Sequence, residues 1–188
     1  MALYKRDYAA AWTKFLAGTG LRQFSTLEQA LQHLAPLSDV QNSPLKQVLM
    51  ALHQNTSWDR PSDEPLAEAA AAGFAAILPF TDGALSSQFD SVSRLFSAEN
   101  PDGADRTVMD RYLAALRKLK VRLSNIERSQ DLDKSSKQLI IETLDGQPTE
   151  VTNLRNYVES SIETSQDSLS SSLKRLFNDP IMFTWESL

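Results

Sequence analysis

Between Met109 and Ile126, apolar side chains recur at Met109, Tyr112, Leu116, Leu119, Leu123 and Ile126, at intervals of 3-4-3-4-3. An α-helix returns to the same face every 3.6 residues, so these six side chains form one stripe. A stripe of this period is a coiled-coil-like seam, and such a seam demands a neighbouring helix crossing at a shallow angle. The spacing predicts a long helix from about Asp105 to Arg128.

The rest of the chain repeats the pattern in shorter pieces. Tyr4, Tyr8, Trp12 and Phe15 fall on one face of a helix over about Leu3 to Leu16. Ser25 is placed to cap a second helix, with Glu28 closing a capping box, Leu27, Leu31 and Leu34 facing inward, and Pro36 as its stop. Ser43 and Pro44 open a third, because proline at the first helical position forfeits no hydrogen bond. Its stripe is Leu45, Val48, Leu49 and Leu52. Asn55 to Asp63 reads as a loop. Further helices are predicted over Glu64 to Leu78, Ser86 to Phe96 and Lys134 to Leu144. A last pattern runs from Glu150 to Phe177, as one helix or as two broken near Thr164. Asn178-Asp179-Pro180 is expected to end it, with Ile181, Phe183, Trp185 and Leu188 beginning something new.

Gly18, Gly20, Gly83, Gly103 and Gly146 punctuate expected connectors, and Asn100-Pro101-Asp102-Gly103 reads as a break. Strand patterns are nearly absent. The expected fold is all-α, an antiparallel bundle of seven to nine helices. It forms one domain over 1–188, or two lobes of about 1–100 and 104–188. The apolar, aromatic ending suggests an excised fragment of a longer protein.

Hydrophobic residues make up 41% of the 188, which is enough for a real core. The net charge of −5 argues against nucleic acid, because an acidic chain gains nothing from releasing counterions. No residue is cysteine, which removes disulfides and thiolate chemistry. The longest apolar run, Ala69 to Phe80, is too short to span a bilayer.

The sequence offers little chemistry. Phosphate-binding glycine loops and a nucleophile elbow are missing. His33 and His53 stand apart on separate helices, without a second histidine one turn on, and read as surface or half-buried side chains. Asp131 and Asp133 suit a loop and cap, and Glu159 and Glu163 suit a solvated helix face. Neither pair has an apolar cleft to shift its acidity. Arg106, Arg111, Arg117, Lys118, Lys120, Arg122 and Arg128 read as the solvent side of the long helix, interspersed with Asp105, Asp110 and Glu127. The alternative for them is a contact for an acidic partner or anionic headgroups. The seven serines of Ser160 to Ser172 suit a weak, polar-faced helix. No catalytic, cofactor-binding or metal residue is assigned, no cofactor is implied, and no particular partner-binding residue stands out.

The first third resembles a known family. Leu3-Tyr4-Lys5-Arg6-Asp7-Tyr8, then Trp12, Leu16, Leu21 and Phe24-Ser25-Thr26-Leu27, is similar to the extracytoplasmic region of the TssM (IcmF-like) inner-membrane proteins of type VI secretion systems. Leu37-Ser38, Asn42-Ser43-Pro44-Leu45, Leu49 and Asn55-Thr56 continue the likeness. A weaker one covers Phe89 to Phe96 and the long helix after it. The specific part is about the first 58 residues, and its signatures are packing and capping residues.

The resemblance implies a non-catalytic, periplasmic, helical part of a membrane-anchored protein. It implies a trans-envelope complex with the lipoprotein TssJ, with TssL and with other TssM copies as partners of the full-length protein. The family's phosphate-binding loop, membrane helices and later strand-rich stretch are not in this chain. The family places lipoprotein contact in that later stretch, so these helices would serve as a spacer or a docking surface. A different reading is a free-standing helical adaptor or chaperone that binds an effector or peptide in an aromatic-lined groove. Exposure of Tyr4, Tyr8, Trp12, Trp58 and Trp185 discriminates the two: buried rings are core, whereas rings along one open groove favour the binder.

Overall fold

The apolar seam is the axis of the structure. In the computed structural model, which describes residues 2–60, 83–97, 106–162 and 169–188, all six seam residues are buried. They belong to the longest described helix, Val108–Glu127. Eight α-helices are found among the described residues, with no sheet: α1 (Ala2–Gly18), α2 (Leu27–Leu37), α3 (Pro44–Thr56), α4 (Asp90–Leu95), α5 (Val108–Glu127), α6 (Leu132–Leu144), α7 (Glu150–Ile162) and α8 (Ser170–Glu186). A 3-10 turn over Ser86–Phe89 leads into α4.

Helix α5 packs against α2 and α7, and α8 packs against α7, α2 and α1. Helix α3 rests on α2 and α4, while α6 leans on α5. The core is continuous, from Leu16 and Phe24 through Leu34, Leu49 and Phe89 to the α5 seam, Leu154, Leu173 and Phe177. At its centre the Tyr112 ring meets the Phe177 ring edge-on at 4.6 Å, and its hydroxyl donates to the Phe177 carbonyl at 2.9 Å. Burial pushes the Tyr112 hydroxyl far above its ordinary pKa, so it remains a neutral donor.

The predicted caps hold for α3, where Ser43 accepts from the Lys46 N–H behind Pro44. They are displaced for α2. Thr26, not Ser25, is the cap and accepts from the Gln29 N–H. The Gln29 side chain reaches back to the Ser25 N–H, so Gln29 takes the place expected for Glu28. The box has slid by one residue because Thr26 can cap as well as Ser25, and glutamine closes it as well as glutamate. Likewise α5 starts at Val108, with Thr107 as its cap.

Two expected stops are overrun. Pro36 lies inside α2, which closes one residue later as the Ser38 N–H bonds to the Leu34 carbonyl. Pro180 does not end the last helix, and no new element begins at Ile181. Helix α8 passes through Pro180 to Glu186. A proline inside a helix costs about 3 kcal/mol. Here the turns beyond it bury Ile181 and Thr184 and set Phe183 edge-on against the buried Phe24 ring at 5.6 Å. Burying one large apolar side chain contributes about 1.5–3 kcal/mol, so several outweigh the proline.

The 150–177 pattern is two helices, α7 and α8. The helix expected over Glu64 to Leu78, the Ala69 to Phe80 run, the break at Asn100 to Gly103 and the residues near Thr164 lie outside the described residues. No described helix is long and apolar enough to cross a membrane.

Candidate interaction surfaces

The ladder of rings predicted for α1 is present. Tyr4 stacks on Tyr8 at 5.9 Å, Tyr8 meets Trp12 edge-on at 6.3 Å, and Trp12 meets Phe15 edge-on at 5.6 Å. The inward face of the same helix carries the buried Lys5, Ala9 and Leu16. The ladder is therefore not wholly core. Tyr4 and Phe15 are exposed, while Tyr8 and Trp12 are half-buried against the core. Tyr8, Trp12 and Phe15 line an open, apolar groove of about 460 Å³ with Ala11 and with Val48 and Ala51 of α3. The Tyr8 hydroxyl donates to the Asn55 carbonyl at 3.1 Å, fixing the ring against the end of α3. Arg175 of α8 donates to the Ala17 and Thr19 carbonyls at 2.7 Å and closes the other end of α1. Trp58 and Trp185 are not among the residues lining this groove.

Behind the ladder is a feature that the sequence did not disclose. The Lys5 ammonium lies 2.8 Å from the Asp59 carboxylate, and Asp59 is completely buried. The same carboxylate accepts from the Leu85 and Ser86 N–H groups, each at 2.8 Å. The Gly83 N–H bonds to the Asp59 carbonyl, with Gly83 in the left-handed region at φ 65°. The Lys5 ammonium also sits 5.2 Å from the centre of the Trp58 ring. Burial pushes the Asp59 carboxyl up, but Lys5 and the two backbone donors more than offset it and hold it at about 2. A carboxylate so acidic and so fully engaged is a poor proton acceptor. It ties the α1 helix to the chain entering α4.

The two histidines and the acidic pairs lie apart from one another. His33 stacks on Phe24 at 5.5 Å, and His53 stacks on Phe96 at 5.4 Å while its Nδ1 lies 3.2 Å from the Ser93 hydroxyl. Burial, and then the charge of Arg60, lower the His53 pKa, so its ring is neutral at pH 7. Asp131 caps α6 by accepting from the Lys134 N–H, and Asp133 is exposed. Glu159 pairs with Arg155 on the surface of α7, and Glu163 lies outside the described residues. Among the described residues no group of three or more histidine, aspartate and glutamate side chains could hold a metal ion.

The basic residues on and flanking α5 are brought together only in part. Arg106, Arg117, Lys118 and Arg122 border an open groove of about 670 Å³ that is also lined by Val40 and Glu150. Arg117 and Lys120 reach an adjoining hollow beside the turn over residues 38–41. Arg111 and Arg128 line neither. Lys46 crosses from α3 to bind Asp110 at 2.7 Å and the Val40 carbonyl at 3.0 Å. Asp110 also accepts from the Thr107 hydroxyl at 2.9 Å. Burial raises the Asp110 pKa, and Lys46 and Thr107 bring it below the ordinary value.

Residues 1–57 match a family described as "IcmF-related: Intracellular multiplication and human macrophage-killing". Those residues are α1, α2 and α3, so the amino-terminal part of the chain, with its ring ladder, resembles that family. No curated protein matches the chain, and no solved structure does.

Proposed function

We propose that this chain is a non-catalytic docking module of an inner-membrane, IcmF-like (TssM) component of the type VI secretion trans-envelope complex. In this reading it lies in the periplasm, folds as one domain, and contacts other subunits of that complex through its α1–α3 face. One observation carries the reading: the segment that resembles the family is the segment that presents Tyr4 and Phe15 to solvent beside an apolar groove. Exposed rings beside an open apolar groove are a common mark of protein contact. The buried ionic pair behind them is spent on holding α1 in place.

The test uses the full-length protein in bacterial membranes. Phe15→Glu should reduce co-purification of the other complex subunits while leaving the melting temperature of the purified chain unchanged, since Phe15 is exposed. Undiminished recovery of those subunits would sink the reading.

A second reading, a helical adaptor holding a peptide, is favoured by the way Tyr8, Trp12 and Phe15 line one groove. It requires the isolated chain to bind an apolar helical peptide with no other subunit present, and to lose it in Phe15→Glu. The docking module requires neither.

A further inference from the structure

We propose that the groove along the outer side of α5 is a second docking site, one that takes an acidic, amphipathic helical segment of a partner protein. It is distinct from the ring ladder and does not depend on the family likeness.

Charge is the first ground. Arg106, Arg117, Lys118 and Arg122 border the groove, against two acids, Asp110 and Glu150. Asp110 is already committed to Lys46 and Thr107. Arg122 is already engaged, with its Nη2 3.4 Å from the Glu142 carboxylate and its buried Nε 3.9 Å from Glu150, so the cations left to a ligand are the other three. Arg106 and Lys118 have no ion-pair partner among the described residues. Arg117 faces Asp39, whose carboxylate is occupied by the Gln41 and Asn42 N–H groups. A chain of net charge −5 thus gathers surplus positive charge around one concavity, which attracts an acidic surface and repels a basic one.

The groove's shape and floor define the occupant further. Val40, Ala114 and Val121 supply apolar surface between the cations, and Val121 is 52% exposed. The lining runs from Asp110 to Asn125 along α5, about 22 Å at the helical rise, which is the length of a helix of about 15 residues. Apolar residues on one face of such a helix would meet the floor, and carboxylates on its flanks would meet the rim. Nucleic acid fits less well, because no aromatic side chain lines the groove for bases to stack on. A flat anionic membrane would touch only the rim and would meet an acidic protein.

The test is fluorescence anisotropy with the 188-residue chain and a labelled synthetic helix of about 15 residues. The probe has leucines at alternating intervals of three and four on one face and glutamates on the other. Binding is expected, about tenfold weaker when the glutamates become glutamines, when the leucines become alanines, or when the protein carries R117E/K118E. Both side chains are exposed, so circular dichroism should show an unchanged fold. Should that variant misfold, Val121→Glu on the exposed floor replaces it with the same expected loss. Failure of the unmodified chain to bind the acidic helix overturns the proposal, as does equal binding by the variants. Binding of duplex DNA or phosphatidylglycerol vesicles through Arg117 and Lys118, with no binding of the peptide, overturns it too.

Discussion

The Lys5 ammonium and the Asp59 carboxylate, 54 residues apart in the chain, meet at 2.8 Å where almost no solvent reaches either. Removing one partner leaves the other charge stranded, which costs about 3–5 kcal/mol. Asp59→Ala should be the worse change, because it strips the Leu85 and Ser86 N–H groups of their acceptor as well. Lys5→Met leaves Asp59 with those two donors and should cost less. Urea unfolding of the two variants and of the double variant measures this. The double variant should lose less than the sum of the singles, since the two side chains share one interaction.

The same pair predicts a pH dependence. The Asp59 pKa in the folded chain is about 2, against an ordinary value of 3.8. A depressed carboxylate pKa stabilises the fold above the unfolded value, and the contribution vanishes as pH falls through the folded value. About 2 kcal/mol should therefore be lost between about pH 4 and pH 2. In Asp59→Asn this increment should be missing. Urea midpoints taken across that window should converge for the two proteins as the pH drops, and parallel curves would refute the assignment.

The α2 cap separates two adjacent residues. Thr26→Ala removes the acceptor for the Gln29 N–H and should cost about 1 kcal/mol. Ser25→Ala removes a side chain on the exposed side of the entry and should cost next to nothing. Thermal melts of the two variants decide it, and a reversed order would return the cap to Ser25.

Much of the bundle was legible from the sequence, because period alone specifies a helix and its buried face. The α5 seam and the Leu45, Leu49 and Leu52 stripe of α3 are the clear cases. What period cannot express is the competition between a local stop signal and distant packing. Pro180 looks like an end until Phe24 is known to sit beside Phe183. Nor does sequence reveal which lysine will be buried. Lys5 sits in a charged run, Lys5-Arg6-Asp7, and only the return of Asp59 to the same place makes it different from Arg6. The ring ladder was visible as spacing, but its openness depends on α3, since Val48 and Ala51 supply the other wall of the groove. The basic residues of α5 were visible as a list of charges. Their division into a groove rim and unrelated surface was not, because it depends on where Val40 and Glu150 fall.

Tyr112 joins α5 to α8 at the centre of the core. Tyr112→Phe keeps the ring against Phe177 and loses only the hydroxyl bond to the Phe177 carbonyl, for about 1 kcal/mol. Tyr112→Ala opens a cavity in the fully buried seam and should cost about 3–5 kcal/mol. Chemical denaturation of both variants gives the two numbers, and near-equal losses would mean that the hydroxyl rather than the ring carries the contact.

Docking through the α1 face is tested most directly by installing a photo-crosslinking amino acid at Phe15 of the full-length protein, in bacteria that assemble the secretion complex. Leu144, exposed on α6 and remote from the ring ladder in sequence, is the control. Adducts with another subunit of the envelope complex from position 15, and none from position 144, are the predicted result. Equal labelling from both positions, or no subunit adduct from position 15 in cells with an assembled complex, would contradict it.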